Sequence, residues 1–325
     1  MPLLEVRDLT IEYHTNAGIF RAVEQLGFQL EQGKSLGMVG ESGCGKTTAM
    51  LALMRLLPEA GRIVAGEVLL DGIDLLRLPV TEIRHYRWSQ IAMVFQGAMN
   101  ALNPVRTIGS QIQEAILLHE RGRRKKAEKE VERLLDLVGV PASRKDQYPH
   151  QYSGGMRQRA MIAMALACRP KVLITDEPTT ALDVMVQAQI LDLLSDLQQE
   201  LNLAVIMVTH DLGVVSEVCD EVLVMYGGRL AEYASAEDIF EWPVHPYTSQ
   251  LLLAFPDIED PRVELSSIPG YPPALDALPP GCRFEPRCGL GNERCSRETP
   301  GVITVAPGHI CSCLLAQAKE GDKDA

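Results

Sequence analysis

The octapeptide Gly40-Glu41-Ser42-Gly43-Cys44-Gly45-Lys46-Thr47 constrains this chain more than any other segment. It follows an apolar run at residues 36–39 and opens a helix-like stretch that Pro58 ends. The pattern G-x-x-x-x-G-K-[ST] in a strand-to-helix context reads as a phosphate loop. Its glycines let the backbone turn so that successive N–H groups converge on phosphate oxygens, and the helix N-terminus adds partial positive charge. Lys46 is then expected on the β- and γ-phosphates, and Thr47 on a Mg²⁺ ion. Gly40, Ser42, Gly43, Cys44, Gly45 and Thr48 complete the expected nucleotide-binding set. Cys44 reads as a tolerated small residue, not a nucleophile.

Short apolar runs at 91–95, 172–174, 204–208 and 222–225 suit strands buried on both faces, as in a parallel sheet covered by helices. Near the N-terminus Leu4/Val6 and then Leu9/Ile11/Tyr13 alternate, the pattern of half-exposed antiparallel strands. Val186, Ile190, Leu193, Leu194, Leu197 and Leu201 keep a helical stripe. The interval of about 97–155 has no central strand and reads as an inserted helical subdomain. The expected fold class is α/β: a P-loop core with an N-terminal antiparallel β-subdomain, that helical insertion and a small cysteine-rich C-terminal extension. The expected boundaries are 1–241 for the nucleotide-binding domain, 242–280 for a linker, 281–318 for the extension and 319–325 for a solvated tail. The linker reading rests on prolines recurring from Trp242 to Pro280, which suit extended chain better than helix or sheet.

Composition narrows the function classes. Among 325 residues, 46% are apolar, enough for a substantial core. Lys and Arg number 31 against 43 acids, a net charge of −12, which argues against binding nucleic acid through bulk positive charge. The basic run at 121–126 is followed by Glu128, Glu130 and Glu132, so it reads as a solvated helix face. No apolar run approaches the roughly 18–20 residues needed to span a bilayer. The opening residues resemble no signal peptide, and a soluble, intracellular chain is expected.

Lys171-Val172-Leu173-Ile174-Thr175-Asp176-Glu177-Pro178 is an apolar strand ending in two acids. Asp176 is placed to hold Mg²⁺, usually through water, and Glu177 to polarise an attacking water. His210 follows another apolar run and is expected to contact the γ-phosphate and orient that water.

These motifs together resemble the ATP-binding-cassette (ABC) ATPases. Tyr152-Ser153-Gly154-Gly155-Met156-Arg157-Gln158-Arg159 looks like their signature motif, Gln96 their Q-loop, Ala181-Leu182-Asp183 their D-loop and His210 their switch histidine. Tyr152 stands where Leu is usual and Met156 where Gln is usual. The resemblance implies that Tyr13, or its neighbour Phe20, stacks on adenine, and that Gln96 joins Thr47 and Asp176 around Mg²⁺. Glu177, His210 and Gln96 become the expected catalytic residues. Two cassettes would face head to tail, with Ser153, Gly154, Gly155 and Asp183 addressing the nucleotide on the partner. Hydrolysis would then remove the phosphate bridge and open the dimer.

His245-Pro246-Tyr247-Thr248, residues 268–273 and Gly281-Cys282-Arg283-Phe284-Glu285-Pro286-Arg287-Cys288 resemble the C-terminal extension of dipeptide and oligopeptide importer ATPases, as does the loop at 96–104. That resemblance implies an ATP-hydrolysing subunit driving peptide uptake from the cytoplasmic face of the inner membrane. Its implied partners are a second ATPase subunit, two permease subunits and an extracytoplasmic binding protein, with no nucleic acid. Oligosaccharide or nickel import, or a soluble ABC ATPase of DNA repair or translation, are the alternatives. Five of the eight cysteines crowd the last 44 positions, with a spacing looser than the usual zinc pairs and unlike the ferredoxin patterns. Spacing alone does not name a metal, and zinc or no metal stay open beside iron–sulfur. The importer resemblance implies a [4Fe-4S] cluster on Cys282, Cys288, Cys295 and Cys313, with Cys311 spare. Arg283, Arg287, Arg294 and Arg297 would offset its negative charge.

Overall fold

The computed structural model describes residues 1–95, 97, 101–119, 124–180, 182–254 and 267–316. Gln96, Ala181, parts of the 96–104 loop and of the basic run, residues 255–266 of the proline-rich stretch and the tail lie outside the described residues. The chain forms two compact units. One holds Glu31–Lys34 and Arg77–Met207; the other holds Pro2–Leu30, Ser35–Leu76 and the chain from Val208 on.

The second of these begins with β1 (Leu4–Thr15) and β2 (Gly18–Leu30), an antiparallel hairpin. The buried positions on β1 switch phase between Val6 and Leu9, because Asp8 has φ 47° and the register shifts there. Thr10 Oγ1 accepts the N–H of Gln25, itself at φ 50°, so the irregularities of the two strands are joined by one hydrogen bond of 3.1 Å. β3 (Ser35–Val39) is wholly buried, and α1 (Lys46–Leu53) follows the phosphate loop. β4 (Gly61–Leu70) and β5 (Ile73–Asp74) complete a four-stranded sheet in the order β2-β1-β4-β5. Gly66 of β4 lies against the β1 bulge. A Cβ there would stand 2.6 Å from Leu9 Cα and would have to tolerate φ 103°.

The other unit contains α2 (Val80–Ser89), β6 (Ile91–Val94), α3 (Ile108–His119), α4 (Arg124–Leu137), α5 (Gly154–Ala165), β7 (Val172–Asp176), α6 (Val184–Leu201) and β8 (Ala204–Val208). Its strands run β8-β7-β6, with β6 and β7 parallel and every residue buried, as continuous apolar runs require. α3, α4 and the start of α5 form the expected helical insertion. α4 buries Ala127, Val131, Leu134 and Leu135, while Arg124, Lys125 and Lys126 are exposed, in keeping with a solvated basic face. α6 buries Ile190, Leu193, Leu194 and Leu197 of the expected stripe, and Leu191 beside it.

The chain then returns to the first-described unit with α7 (Leu212–Val218), β9 (Glu221–Tyr226), β10 (Arg229–Ser235), α8 (Ala236–Glu241), α9 (Pro246–Leu253), α10 (Glu293–Arg297), β11 (Ile303–Ala306) and β12 (His309–Cys311). The strand order is β11-β12-β10-β9-β3. β9 is parallel to β3, and the later pairs are antiparallel. The expectation of extended chain from Trp242 to Pro280 fails at α9. Pro246 takes the first helical position, where no N–H is needed, and the His245 ring caps the helix by accepting the Tyr247 N–H at 3.0 Å. Tyr247 and Thr248 are buried, so this proline marks a packed helix start.

Candidate nucleotide site

The phosphate loop emerges from the buried strand β3 and turns through Gly40 (φ 147°), Gly43 (φ 81°) and Gly45 (φ 102°), conformations that side chains with a Cβ resist. A Cβ on Gly45 would lie 2.7 Å from the Ala22 carbonyl. Lys46 is buried, and its ammonium donates to the carbonyls of Gly40 at 2.5 Å and Glu41 at 3.1 Å, with Cys44 Sγ at 3.6 Å. Burial raises the pKa of the Cys44 thiol, against the pull of Lys46, so this cysteine is a packed small residue and no nucleophile. Beside the loop, Tyr13 Oη lies 3.3 Å from Thr48 Oγ1, and Tyr13 pairs across the hairpin with Phe20. The two expected adenine platforms are thus cross-strand neighbours. In the same unit His210 is exposed just before α7, whose N-cap is Asp211.

The other unit carries the acid pair and the signature. Asp176 is buried at the end of β7. Glu177 follows with φ 46°, a conformation uncommon for a residue with a side chain and one that collects at functional sites. Its Oε2 accepts from Thr180 Oγ1 at 3.0 Å. Asp183 caps α6 through the Val186 N–H at 3.0 Å. Ser153 is exposed and caps α5 through the Met156 N–H at 3.3 Å, so Gly154 opens a twelve-residue helix with its N-terminal amides ahead. Both departures from the usual signature meet Arg144. The buried Tyr152 donates its hydroxyl to the Arg144 carbonyl at 3.0 Å, and the Arg144 guanidinium approaches Met156 Sδ at 3.9 Å. They support the motif from behind.

The fold is that of ABC ATPases. The dimeric ATP-binding cassette MJ0796, solved in a post-hydrolysis state bound to ADP and Pi, matches 72% of this chain and 98% of its own at TM-score 0.64 and 27% identity. The ABC transporter family matches residues 23–180, and the C-terminal region of oligopeptide/dipeptide transporters matches residues 231–295. The oligopeptide transport ATP-binding protein OppD of Salmonella typhimurium is 50% identical over 314 residues, 96% of this chain and 93% of that protein. The dipeptide transport ATP-binding protein DppD of Escherichia coli is 45% identical over 315 residues, 96% of each. The chain belongs to the ATP-binding subunits of the oligopeptide/dipeptide ABC transporter family, and it is an ATPase coupled to transport.

The expected [4Fe-4S] cluster is overturned. Among the described residues no group of three or more His, Cys, Asp or Glu stands where it could hold a metal ion, and the relatives are named for ATP binding and transport alone. The physical reason lies in what surrounds the thiols. Burial raises the pKa of Cys282 and Cys288, and the neighbouring Cys295 and Cys313 raise it further. Cys313 packs with Cys311 and Ala316 in an apolar cluster that Val244, Ile303, Val305 and Leu315 extend. Cys311 and Cys313 pack there as small hydrophobes. The four arginines expected to offset the cluster pair with carboxylates instead: Arg283 with Glu24, Arg287 with Glu41, Arg294 with Glu298 and Arg297 with Glu293.

The importance of the HPY segment was legible only as resemblance; its contacts came from packing. Glu232, buried on β10, accepts the N–H groups of Val244 at 2.7 Å and His245 at 3.0 Å and lies 2.7 Å from His309 Nε2. His245 must be unprotonated at Nδ1 to cap α9. Burial lowers its pKa to about 4, against the hydrogen bond to the Ser312 backbone, from 6.5. The unfolded chain therefore takes up this proton first as pH falls. The neutral ring contributes its full stability above pH 6.5, and that contribution drains away between pH 6.5 and 4, by roughly 3 kcal/mol. The thermal midpoint is expected to fall across that window and to do so less steeply in His245→Asn. Equal slopes in the two proteins would remove His245 as the titrating group.

Proposed function

We propose that this chain supplies the ATP hydrolysis that drives peptide uptake through an ABC importer, paired with a second ATP-binding subunit on the cytoplasmic face of two permease subunits. An extracytoplasmic binding protein delivers the peptide. The observation that carries the reading is the phosphate loop, with three left-handed glycines, a buried lysine and a helix start directly behind it. Among the described residues no helix is long and apolar enough to cross a membrane, so attachment falls to the permease subunits.

In this reading the loop amides and Lys46 hold the β- and γ-phosphates, and Tyr13, flanked by Phe20, stacks on adenine. Thr47, Gln96 and Asp176 would hold Mg²⁺, which would offset charge on the phosphate oxygens. The donor set fits a hard cation: a hydroxyl, an amide and a buried strand-end carboxylate are all oxygen ligands. Glu177 accepts a proton from the attacking water, and His210 orients that water against the γ-phosphate. Ser153, Gly154 and Gly155 present a capped helix N-terminus to the nucleotide on the partner subunit, and Asp183 stands at the adjoining turn. Each chain thus holds half of two sites, and the loss of the γ-phosphate releases the pair.

The test is hydrolysis in vesicles holding the permease and both ATP-binding subunits. Peptide-loaded binding protein is expected to raise ATP turnover several-fold, and Lys46→Ala is expected to abolish nucleotide binding. Turnover indifferent to peptide and permease, or responding only to DNA or ribosomes, would reverse the assignment.

A further inference from the structure

Glu41, the residue after the first glycine of the phosphate loop, is gripped at both its main chain and its side chain by the C-terminal region. Arg287 forks onto its carboxylate, Nη1 to Oε2 at 2.6 Å and Nη2 to Oε1 at 3.0 Å. The Tyr247 hydroxyl accepts its backbone N–H at 3.0 Å. Neither partner is free to yield. The Arg287 side chain is only 5% exposed and also donates to the Pro269 carbonyl at 2.7 Å and the Tyr226 hydroxyl at 3.2 Å. Tyr247 is fully buried against Tyr226 and Phe284. The carbonyl of the same Glu41 accepts from the Lys46 ammonium at 3.1 Å and from the Cys44 N–H at 3.2 Å.

We infer that the C-terminal extension tunes ATP affinity by fixing the phosphate loop at Glu41, with Arg287 and Tyr247 as positioning residues. A bidentate guanidinium–carboxylate pair sets orientation as well as distance, and the Tyr247 bond fixes the adjoining peptide plane. Together they hold the one carbonyl that sets both the Lys46 ammonium and the Cys44 turn. The loop's amides act on phosphate through prearrangement, so releasing Glu41 makes binding bear the cost of ordering it. Neither positioning residue touches the nucleotide in this scheme, and the effect falls on affinity more than on turnover.

The inference rests on reading the Lys46 loop as the triphosphate site. Equilibrium binding of a fluorescent, non-hydrolysable ATP analogue with Mg²⁺, and KM and kcat for ATP in the assembled importer, test it. Arg287→Met and Glu41→Gln are each expected to weaken binding about five- to tenfold, about 1 kcal/mol. Tyr247→Phe keeps the buried ring, and about a two- to threefold loss is expected, with its thermal midpoint nearly unchanged. kcat should stay within about twofold throughout. The double variant Arg287→Met/Glu41→Gln should bind about as well as either single one, because the two act through one contact. Wild-type affinity in folded Glu41→Gln and Tyr247→Phe would overturn the inference, even if Arg287→Met failed to fold. Fully additive losses would overturn it too. Undiminished binding by Lys46→Ala would instead remove the loop reading beneath it.

Discussion

Glu177→Gln is expected to lower steady-state ATP hydrolysis by at least about a hundredfold while ATP stays bound. General-base assistance contributes typically about 10²–10⁴-fold, and glutamine keeps the size and hydrogen-bonding reach of the side chain while losing its negative charge. Glu177 is half-buried immediately after β7, in a left-handed backbone conformation, with its Oε2 tied to Thr180. Glutamine can still accept that Thr180 bond through its amide oxygen, so the fold around it should persist. Binding energy that normally ends with hydrolysis would then hold the two subunits together. Single-turnover hydrolysis and the sedimentation of the ATP-loaded pair read the two effects separately. Undiminished turnover would remove Glu177 from the catalytic role, and lost binding would point to a structural one.

Phe284→Ala is expected to destabilise the unit that carries the phosphate loop by about 3–5 kcal/mol, the range for emptying a buried aromatic site. Phe284 is fully buried and packs edge-on against Tyr226, with ring centroids 5.1 Å apart, and against Tyr247 at 5.3 Å and His245 at 5.9 Å. Those rings come from β9 and from the start of α9, so the cavity would open where three segments of chain meet. Phe284→Leu should recover much of the loss, because the replacement refills most of the volume. Thermal and denaturant midpoints measure the effect. A midpoint unchanged in Phe284→Ala would mean that the ring cluster contributes packing without holding the extension in place.

The buried strands were legible because their signal is local. A strand covered on both faces must be apolar throughout, and the runs at 36–39, 91–95, 172–174, 204–208 and 222–225 lie within or beside the observed β3, β6, β7, β8 and β9. The alternation at Leu4/Val6 and at Leu9/Ile11 pointed to strand, but it does not say that one strand runs through both with an irregularity at Asp8. The linker reading fails at α9 because proline frequency carries no information about position. Pro246 is tolerated at a helix start, and the cap that makes it one comes from a histidine ring whose burial no local pattern announces. The cysteines misled in a similar way, since crowding along the chain does not by itself make a metal site, and Cys311 and Cys313 are taken into apolar packing.

The amino-acid order by itself determined the phosphate loop and the buried strands, because each depends on residues adjacent in the chain obeying steric and hydrogen-bonding rules over a few positions. The signature motif and the family were legible in it as resemblance. Only the tertiary structure decided which charges pair. A guanidinium suits any carboxylate, and Arg287 reaches Glu41 across 246 positions only because β9, α9 and the extension bury their aromatic rings together.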